Sequence, residues 1–392
     1  MTDTLTVRLY NVRFGDAVLI TVPDRDPKSK KVITRRILID VGNVKAGEGG
    51  DDKVFKPVLE SVLKELGGEP LDLYVMTHQH MDHVQGLPYA GWKVFPADDL
   101  AKRLAPRHVW LTASAAPDYY DRHDKARKQK LEADRQLQRI ALYLQTRAPA
   151  LQPLYASYVA NNNPQETEQC VQFLRQLNPK NTTYVYRGMK MKGTHPFTEA
   201  KLDVWAPEED TSDYYGRFEP LFLEDGDGTE GALAPAAAPV APPGVDLGAF
   251  LNLLEARRAG MSDNLLNIDQ SANNTSIVFA LEWRGWRLLF PGDAETRSWK
   301  TMQREGVLKP VHFLKVAHHG SHNGTPDGDL FEAILPAQAP DDRPRRAAIS
   351  TWVDTYPGIP HAATNQRLAT RCTLKSMLDD KTQQYIEIEC EG

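Results

Sequence analysis

The apolar run Leu71-Asp72-Leu73-Tyr74-Val75-Met76 leads directly into Thr77-His78-Gln79-His80-Met81-Asp82-His83. The first half predicts a buried strand, and the second sets three imidazoles and a carboxylate at its carboxyl end. Sites in α/β proteins form where strands end, so this chain must bury the strand and leave its end open. On a strand-to-loop turn, residues i and i+2 point the same way. His78 and His80 can therefore grip one cation, while Asp82 and His83, past the turn, can face a second. Nitrogen together with carboxylate oxygen suits zinc, manganese or iron rather than calcium. With eleven histidines in 392 residues, a chance cluster of three around an aspartate is the weaker reading.

Other segments predict an α/β chain around that strand. Leu5-Val7-Leu9 alternates, and Ala17 to Val22 and Ile37 to Gly42 read as buried strands separated by turn residues. Val54, Val58, Val62 and Leu66 fall at helical spacing, and Gly67-Gly68 ends that helix. Strand texture returns at Lys201 to Trp205, Ser276 to Leu281, Trp286 to Phe290, Val311 to Val316, Ala347 to Trp352 and Gln384 to Glu389. Between the halves, residues 112–200 predict a helical insertion, with Ala133, Leu137, Ile140 and Leu144 on one face of a helix and a second helix over Glu166 to Leu177. The basic run from Arg122 to Lys130 reads as a solvated helix face. Residues 225–247, rich in Asp-Gly and then Ala-Pro, predict a mobile low-complexity loop. One domain over 1–392 follows.

A net charge of −5 offers no global attraction to nucleic acid or anionic membrane. Cys170, Cys372 and Cys390 are far apart, which argues against a disulfide framework or a cysteine zinc ribbon. No secretory signal or membrane span is evident, and the expectation is a cytoplasmic protein.

Two strand ends add further chemistry. Leu288-Leu289-Phe290-Pro291-Gly292-Asp293 presents Asp293, and Leu314 to Val316 runs into Ala317-His318-His319-Gly320-Ser321-His322. With these in place, the chain resembles the metallo-β-lactamase superfamily. Within it, the chain is most similar to the hydrolase domain of ComEC-type competence proteins and their stand-alone relatives, including phosphorylcholine esterases. The resemblance is carried by Phe14-Gly15-Asp16-Ala17 with Leu38-Ile39-Asp40, then Thr77 to His83, Asn273-Asn274-Thr275-Ser276, Pro291-Gly292-Asp293 and His318-His319-Gly320-Ser321. It covers roughly 1–110 and 270–370.

The resemblance implies a four-layer αββα sandwich and two divalent cations, zinc first and manganese second. His78 and His80 would bind metal one, Asp82, His83 and His318 metal two, with Asp293 bridging. Asp16 and Asp40 would fix imidazole tautomers. Asn274 and Ser276 would bind substrate. His319, Ser321 and His322 would donate to the substrate or protonate the leaving group, and Asp82 and His361 complete the catalytic candidates.

Two departures follow. The Gly-His-Thr segment that supplies a further metal-one ligand is absent, leaving His195, Asn274 or no residue for that place. The expected Tyr-Gly-His-Pro segment reads Tyr356-Pro357-Gly358-Ile359-Pro360-His361.

The leading functional reading is a phosphodiesterase or nuclease that uses a hydroxide held by two metals, with DNA, RNA or a small phosphodiester as substrate. The alternatives are a lactone or other carbonyl-ester hydrolase, or a metal-containing partner module that docks another protein through 112–200.

Overall fold

The computed structural model describes residues 3–45, 49–94, 97–146, 149, 152–216, 218, 261–353, 355–356 and 358–392. The expected loop at 225–247 lies outside them.

The chain is α/β, with two mixed sheets and helices. The first sheet has seven strands in the order β13-β1-β2-β3-β4-β5-β6, and the second has six in the order β12-β11-β10-β9-β8-β7. Strands β1 (Thr4–Tyr10), β2 (Val18–Arg25) and β3 (Val32–Ile39) form an antiparallel meander. Strands β4 (Leu73–Met76), β5 (His108–Thr112) and β6 (Thr182–Val185) then add in parallel. In the second sheet, β7 (Lys201–Ala206), β8 (Val278–Trp283) and β9 (Trp286–Phe290) are antiparallel. Strands β10 (Phe313–Lys315), β11 (Arg346–Ile349) and β12 (Thr373–Ser376) continue in parallel. Strand β13 (Tyr385–Glu391) closes the first sheet by pairing antiparallel with β1.

Alternation along the strands dictates how the sheets pack. Val18, Ile20 and Val22 of β2, with Leu73 and Val75 of β4, share one core with Phe279 and Leu281 of β8 and Leu288 and Phe290 of β9. That core lies between the sheets. The opposite faces are apolar too, because side chains of period two point both ways. Leu19, Leu38, Tyr74 and Met76 pack with Phe55, Val58, Leu59 and Val62 of the helix Phe55–Leu66. That helix stops at Gly67, whose φ of 59° is the left-handed cap geometry. Val278, Ala280, Leu289 and Leu314 pack with Trp299 and Met302 of the helix Thr296–Arg304.

The expected insertion is not helical throughout. Helices Asp124–Thr146, Gln152–Asn161 and Pro164–Arg175 fill its first two thirds, but β6 within it extends the first sheet. The expected face of Ala133, Leu137, Ile140 and Leu144 is buried, against Leu265 and Ile268 of the helix Met261–Asn273. Among the described residues, no helix is long and apolar enough to cross a membrane.

Candidate metal centre

Five strand ends, drawn from both sheets, converge on one buried spot. Asp40 follows β3, Thr77 to His83 follow β4, Asp293 follows β9, His318 and His319 follow β10, and Ser350 follows β11. Asp16, just before the antiparallel β2, reaches the same end. Backbone bonds lock the loops together: Asp16 N–H donates to Asp82 O at 3.1 Å, Val41 N–H to His83 O at 3.0 Å and Gly42 N–H to Asp16 O at 3.0 Å. A side chain at Gly42 would stand 2.5 Å from the carbonyl carbon of Asp82 and the nitrogen of His83, so only glycine fits.

Four side chains point their donor atoms at one another: Asp82, His83, Asp293 and His319. His83 Nε2 is 3.2 Å from Asp293 Oδ2, and His319 Nε2 is 3.3 Å from that oxygen and 3.4 Å from Asp82 Oδ2. All four residues are at most 3% exposed. His83 Nε2, His319 Nε2, Asp82 Oδ1 and Asp293 Oδ1 are buried without a hydrogen-bond partner. The opposite nitrogen of each imidazole is engaged: His83 Nδ1 donates to Asp40 Oδ2 at 2.8 Å, and His319 Nδ1 donates to the Ser350 carbonyl at 2.9 Å. Each ring, when it carries a single proton, therefore turns a lone pair to the cluster.

His78 and His80 form the adjoining pair. His78 Nε2 and His80 Nδ1 face each other at 3.1 Å. Thr77 Oγ1 donates to Asp40 Oδ2 at 2.6 Å, so toward His78 Nδ1 at 3.2 Å it can only accept. His80 Nε2 donates to Asn162 Oδ1 at 2.9 Å. These partners leave His78 Nε2 and His80 Nδ1 with lone pairs facing each other, which is repulsive unless a cation or proton lies between them. The rings of His78 and His83 are 4.2 Å apart between centroids, so the two groups adjoin.

Acidic and basic groups are packed together at this spot. Asp16, Asp40, Asp82 and Asp293 are all buried, and Lys315, lying against Asp16 and 4.0 Å from Asp293 Oδ1, is the buried lysine among them. Burial works against the charged form of His83, yet Asp293, Asp82 and Asp40 outweigh it and raise the imidazole well above its usual range. Burial likewise opposes ionisation of Asp293, and His83 and His319 outweigh it, so this carboxyl is lowered. His78 is lowered by burial, then by His83 and His80.

The order of His318 and His319 differs from expectation. His319, not His318, faces Asp82, His83 and Asp293. Both residues have left-handed backbone (φ 46° and 52°), which turns consecutive imidazoles in different directions. His318 turns to Glu295 (Nδ1 to Oε1, 3.2 Å) and groups with Asp269. Burial would lower this imidazole, but the Glu295 carboxylate outweighs it and raises it to about 9.

Several other expected site residues hold the surrounding scaffold. Ser276 Oγ accepts the Asp293 N–H at 3.1 Å, and Asn274 Oδ1 accepts the Ser298 N–H at 2.9 Å, so each holds a neighbouring backbone in place. Ser321 Oγ donates to Asn323 Oδ1 and accepts from Gly324 N–H. His322 is exposed at the mouth, its ring 6.0 Å from His361, whose Nδ1 contacts Thr364 Oγ1 at 3.0 Å. His195 packs beside Trp110 and Phe197, and burial lowers it to about 4.

The cavity over the cluster has a volume of ≈ 180 Å³. Phe14, Tyr158 and Tyr356 line it as an aromatic wall, the Phe14 ring lying 4.3 Å from His319 and 5.0 Å from Tyr356. His318, His322 and Asn323 supply its polar side. The roles of Tyr158, Tyr356, Asp269, Glu295, Asn161 and Asn162 were not anticipated, although the triplet Asn161-Asn162-Asn163 is a visible signal.

No family model matches this chain, and no curated protein is similar enough to it to count as a match.

Proposed function

We propose that the chain is a metal-dependent hydrolase with the αββα architecture of the metallo-β-lactamase superfamily, acting on phosphodiesters. The observation that carries this reading is the set of ring nitrogens aimed inward by four buried imidazoles. Each ring is held from outside by an oxygen partner. Metal–ligand bonds of ~2.0–2.2 Å in a tetrahedron separate ligand atoms by roughly 3.3–3.6 Å. The spacings of 3.2, 3.3 and 3.4 Å among His83, His319, Asp293 and Asp82 lie close to that, and His83 Nε2 to Asp82 Oδ1 is wider at 3.9 Å. The 3.1 Å between His78 and His80 is slightly shorter.

Asp82, His83, Asp293 and His319 would hold one cation, and His78 and His80 would supply two ligands to a second. Zinc suits this donor set best, and manganese second. Such ions supply Lewis acidity toward a phosphoryl oxygen and activate a water at neutral pH. Asp40 and the Ser350 carbonyl orient His83 and His319. Phe14 and Tyr356 exclude water from one side of the centre. His318 and His322, on the polar side of the cavity, are placed to donate to a leaving oxygen. The small, partly polar cavity favours a compact phosphoryl group. Its aromatic wall supports a second reading, a carbonyl ester or lactone, by the same chemistry.

Protein purified without chelator and loaded with Zn²⁺ or Mn²⁺ should bind two cations and cleave bis(p-nitrophenyl) phosphate, and Asp82→Ala/His83→Ala should lose both properties. Two bound cations with turnover of lactones alone would replace the phosphodiester reading. Absence of bound metal would end the metal reading altogether.

A further inference from the structure

The end of the helix Gln152–Asn161 and the two residues after it supply three asparagines that reach in different directions. Asn163 caps the next helix by accepting from Gln165 N–H and Glu166 N–H. Asn161 Oδ1 accepts the Asp82 N–H at 3.1 Å, and Asn162 Oδ1 accepts from His80 Nε2 at 2.9 Å. The other end of the Asn162 amide is fixed too. Its Nδ2 donates to Asp269 Oδ1 at 3.0 Å, and Asp269 Oδ2 accepts from Asn273 Nδ2 at 3.2 Å. Asp269, on the helix Met261–Asn273, is 7% exposed, and His80 is 2% exposed.

The chemistry of these groups runs in one direction only. A carboxylate accepts and cannot donate, so the Asn162 amide must turn its nitrogen to Asp269 and its oxygen to His80. That oxygen accepts, so His80 must carry its proton on Nε2. The nitrogen left with a lone pair is Nδ1, the one that faces His78 Nε2 at 3.1 Å. We infer that Asp269 and Asn162 are a positioning pair that sets the tautomer of His80, and so set the affinity of the site shared by His78 and His80. The inserted helices thereby become part of the metal centre. This inference rests on the proposed metal-binding function.

The pair can be tested by removal and by exchange. Asn162→Leu takes away the acceptor at His80. The double variant Asn162→Asp/Asp269→Asn restores it in mirror image: the new carboxylate accepts from both His80 Nε2–H and the amide at 269. Two readouts apply, namely the affinity of each bound Zn²⁺ in competition with a chromophoric chelator, and long-range ¹H–¹⁵N correlation of the histidine rings in zinc-free protein.

Asn162→Leu should weaken one of the two cations by roughly 10–100-fold, the range for loss of an outer hydrogen-bond partner. The other cation should hold as before, His80 should lose its Nε2–H preference, and the exchanged pair should recover both properties. The inference is overturned if Asn162→Leu binds both cations as tightly as the parent and His80 keeps its tautomer. It is also overturned if the exchanged pair folds yet recovers neither property. If the unaltered protein binds no zinc, the functional reading fails, while the ring spectra still decide whether Asp269 and Asn162 set the tautomer.

Discussion

Asp24 offers a test of what holds the two sheets together. It lies in β2, fully buried, and its carboxylate accepts from Arg35 Nε (2.7 Å), Thr198 Oγ1 (2.6 Å) and the N–H groups of Thr198 (3.0 Å) and Glu199 (2.7 Å). Arg35 is on β3 and also pairs with Asp72 at 2.8 Å, whereas Thr198 and Glu199 lead into β7 of the other sheet. One carboxylate thus staples sheet to sheet. Asp24→Ala frees all four donors. Thr198 is exposed and Glu199 partly so, and water can serve them, but the Arg35 guanidinium stays nearly buried with half its partners gone. Breaking a buried pair costs ~3–5 kcal/mol. For a chain of this length, at ~2.1 cal/mol/K per residue, the expected fall in Tm is roughly 4–6 °C.

Differential scanning fluorimetry of Asp24→Ala beside Arg25→Ala would check this. The Arg25–Glu199 pair is half exposed on the arginine side and should contribute less than ~1 kcal/mol. Burial opposes ionisation of Asp24, but the bonds from Thr198, Glu199 and Arg35 outweigh it and lower the carboxyl. A lowered folded-state pKa means that the stabilisation is present above the unfolded value near 4 and is lost as pH falls through the folded one. The gap between parent and Asp24→Ala should therefore close below pH 4. A Tm within 1 °C of the parent at pH 7, or an equal loss in Arg25→Ala, would refute the staple.

Three other outcomes are expected. His319→Ala should lose the cation held with Asp82, His83 and Asp293, whereas His318→Ala should keep both cations; metal analysis reads the difference, and the reverse result would restore the expected assignment. Gly42→Ala should push the Asp82–His83 peptide aside and abolish binding of at least one cation by metal analysis, with far-UV circular dichroism little changed. His195, lowered to about 4 by burial, stays neutral in the fold while the unfolded chain gains a proton below about pH 6.5. The parent should then lose stability relative to His195→Phe as pH falls from 6.5 to 4, and parallel Tm profiles would contradict this.

Much of the fold could be read from alternation. Trp286 to Phe290 is a strand over those residues, and the helix of Val58 and Val62 ends at the expected glycine. Strand β12, Thr-Leu-Lys-Ser, escaped because an edge strand needs little apolar side chain. The helix Gln152–Asn161 escaped because it has little amphipathic period to detect. Within the site, the cluster from His78 to His83 and the strand end at Asp293 could be located by sequence. The choice between His318 and His319 could not, because it depends on two left-handed residues in succession, a geometry that non-glycine residues seldom adopt. Asn162 and Asp269 lie 107 residues apart in sequence and meet only through tertiary packing.

The convergence of both sheets on one spot also has a consequence in time. A ribosome releases the loop from His78 to His83 early, whereas Asp293 and His319 follow roughly 210 and 236 residues later. At ~5–20 residues per second, that delay is roughly 10–45 s. During it the nascent chain displays three histidines and an aspartate with no second sheet to enclose them. A cation met in that interval would be held by an open, half-built set of ligands and would exchange freely. On the proposed metal-binding reading, selection among metals would fall to the moment when the second sheet docks.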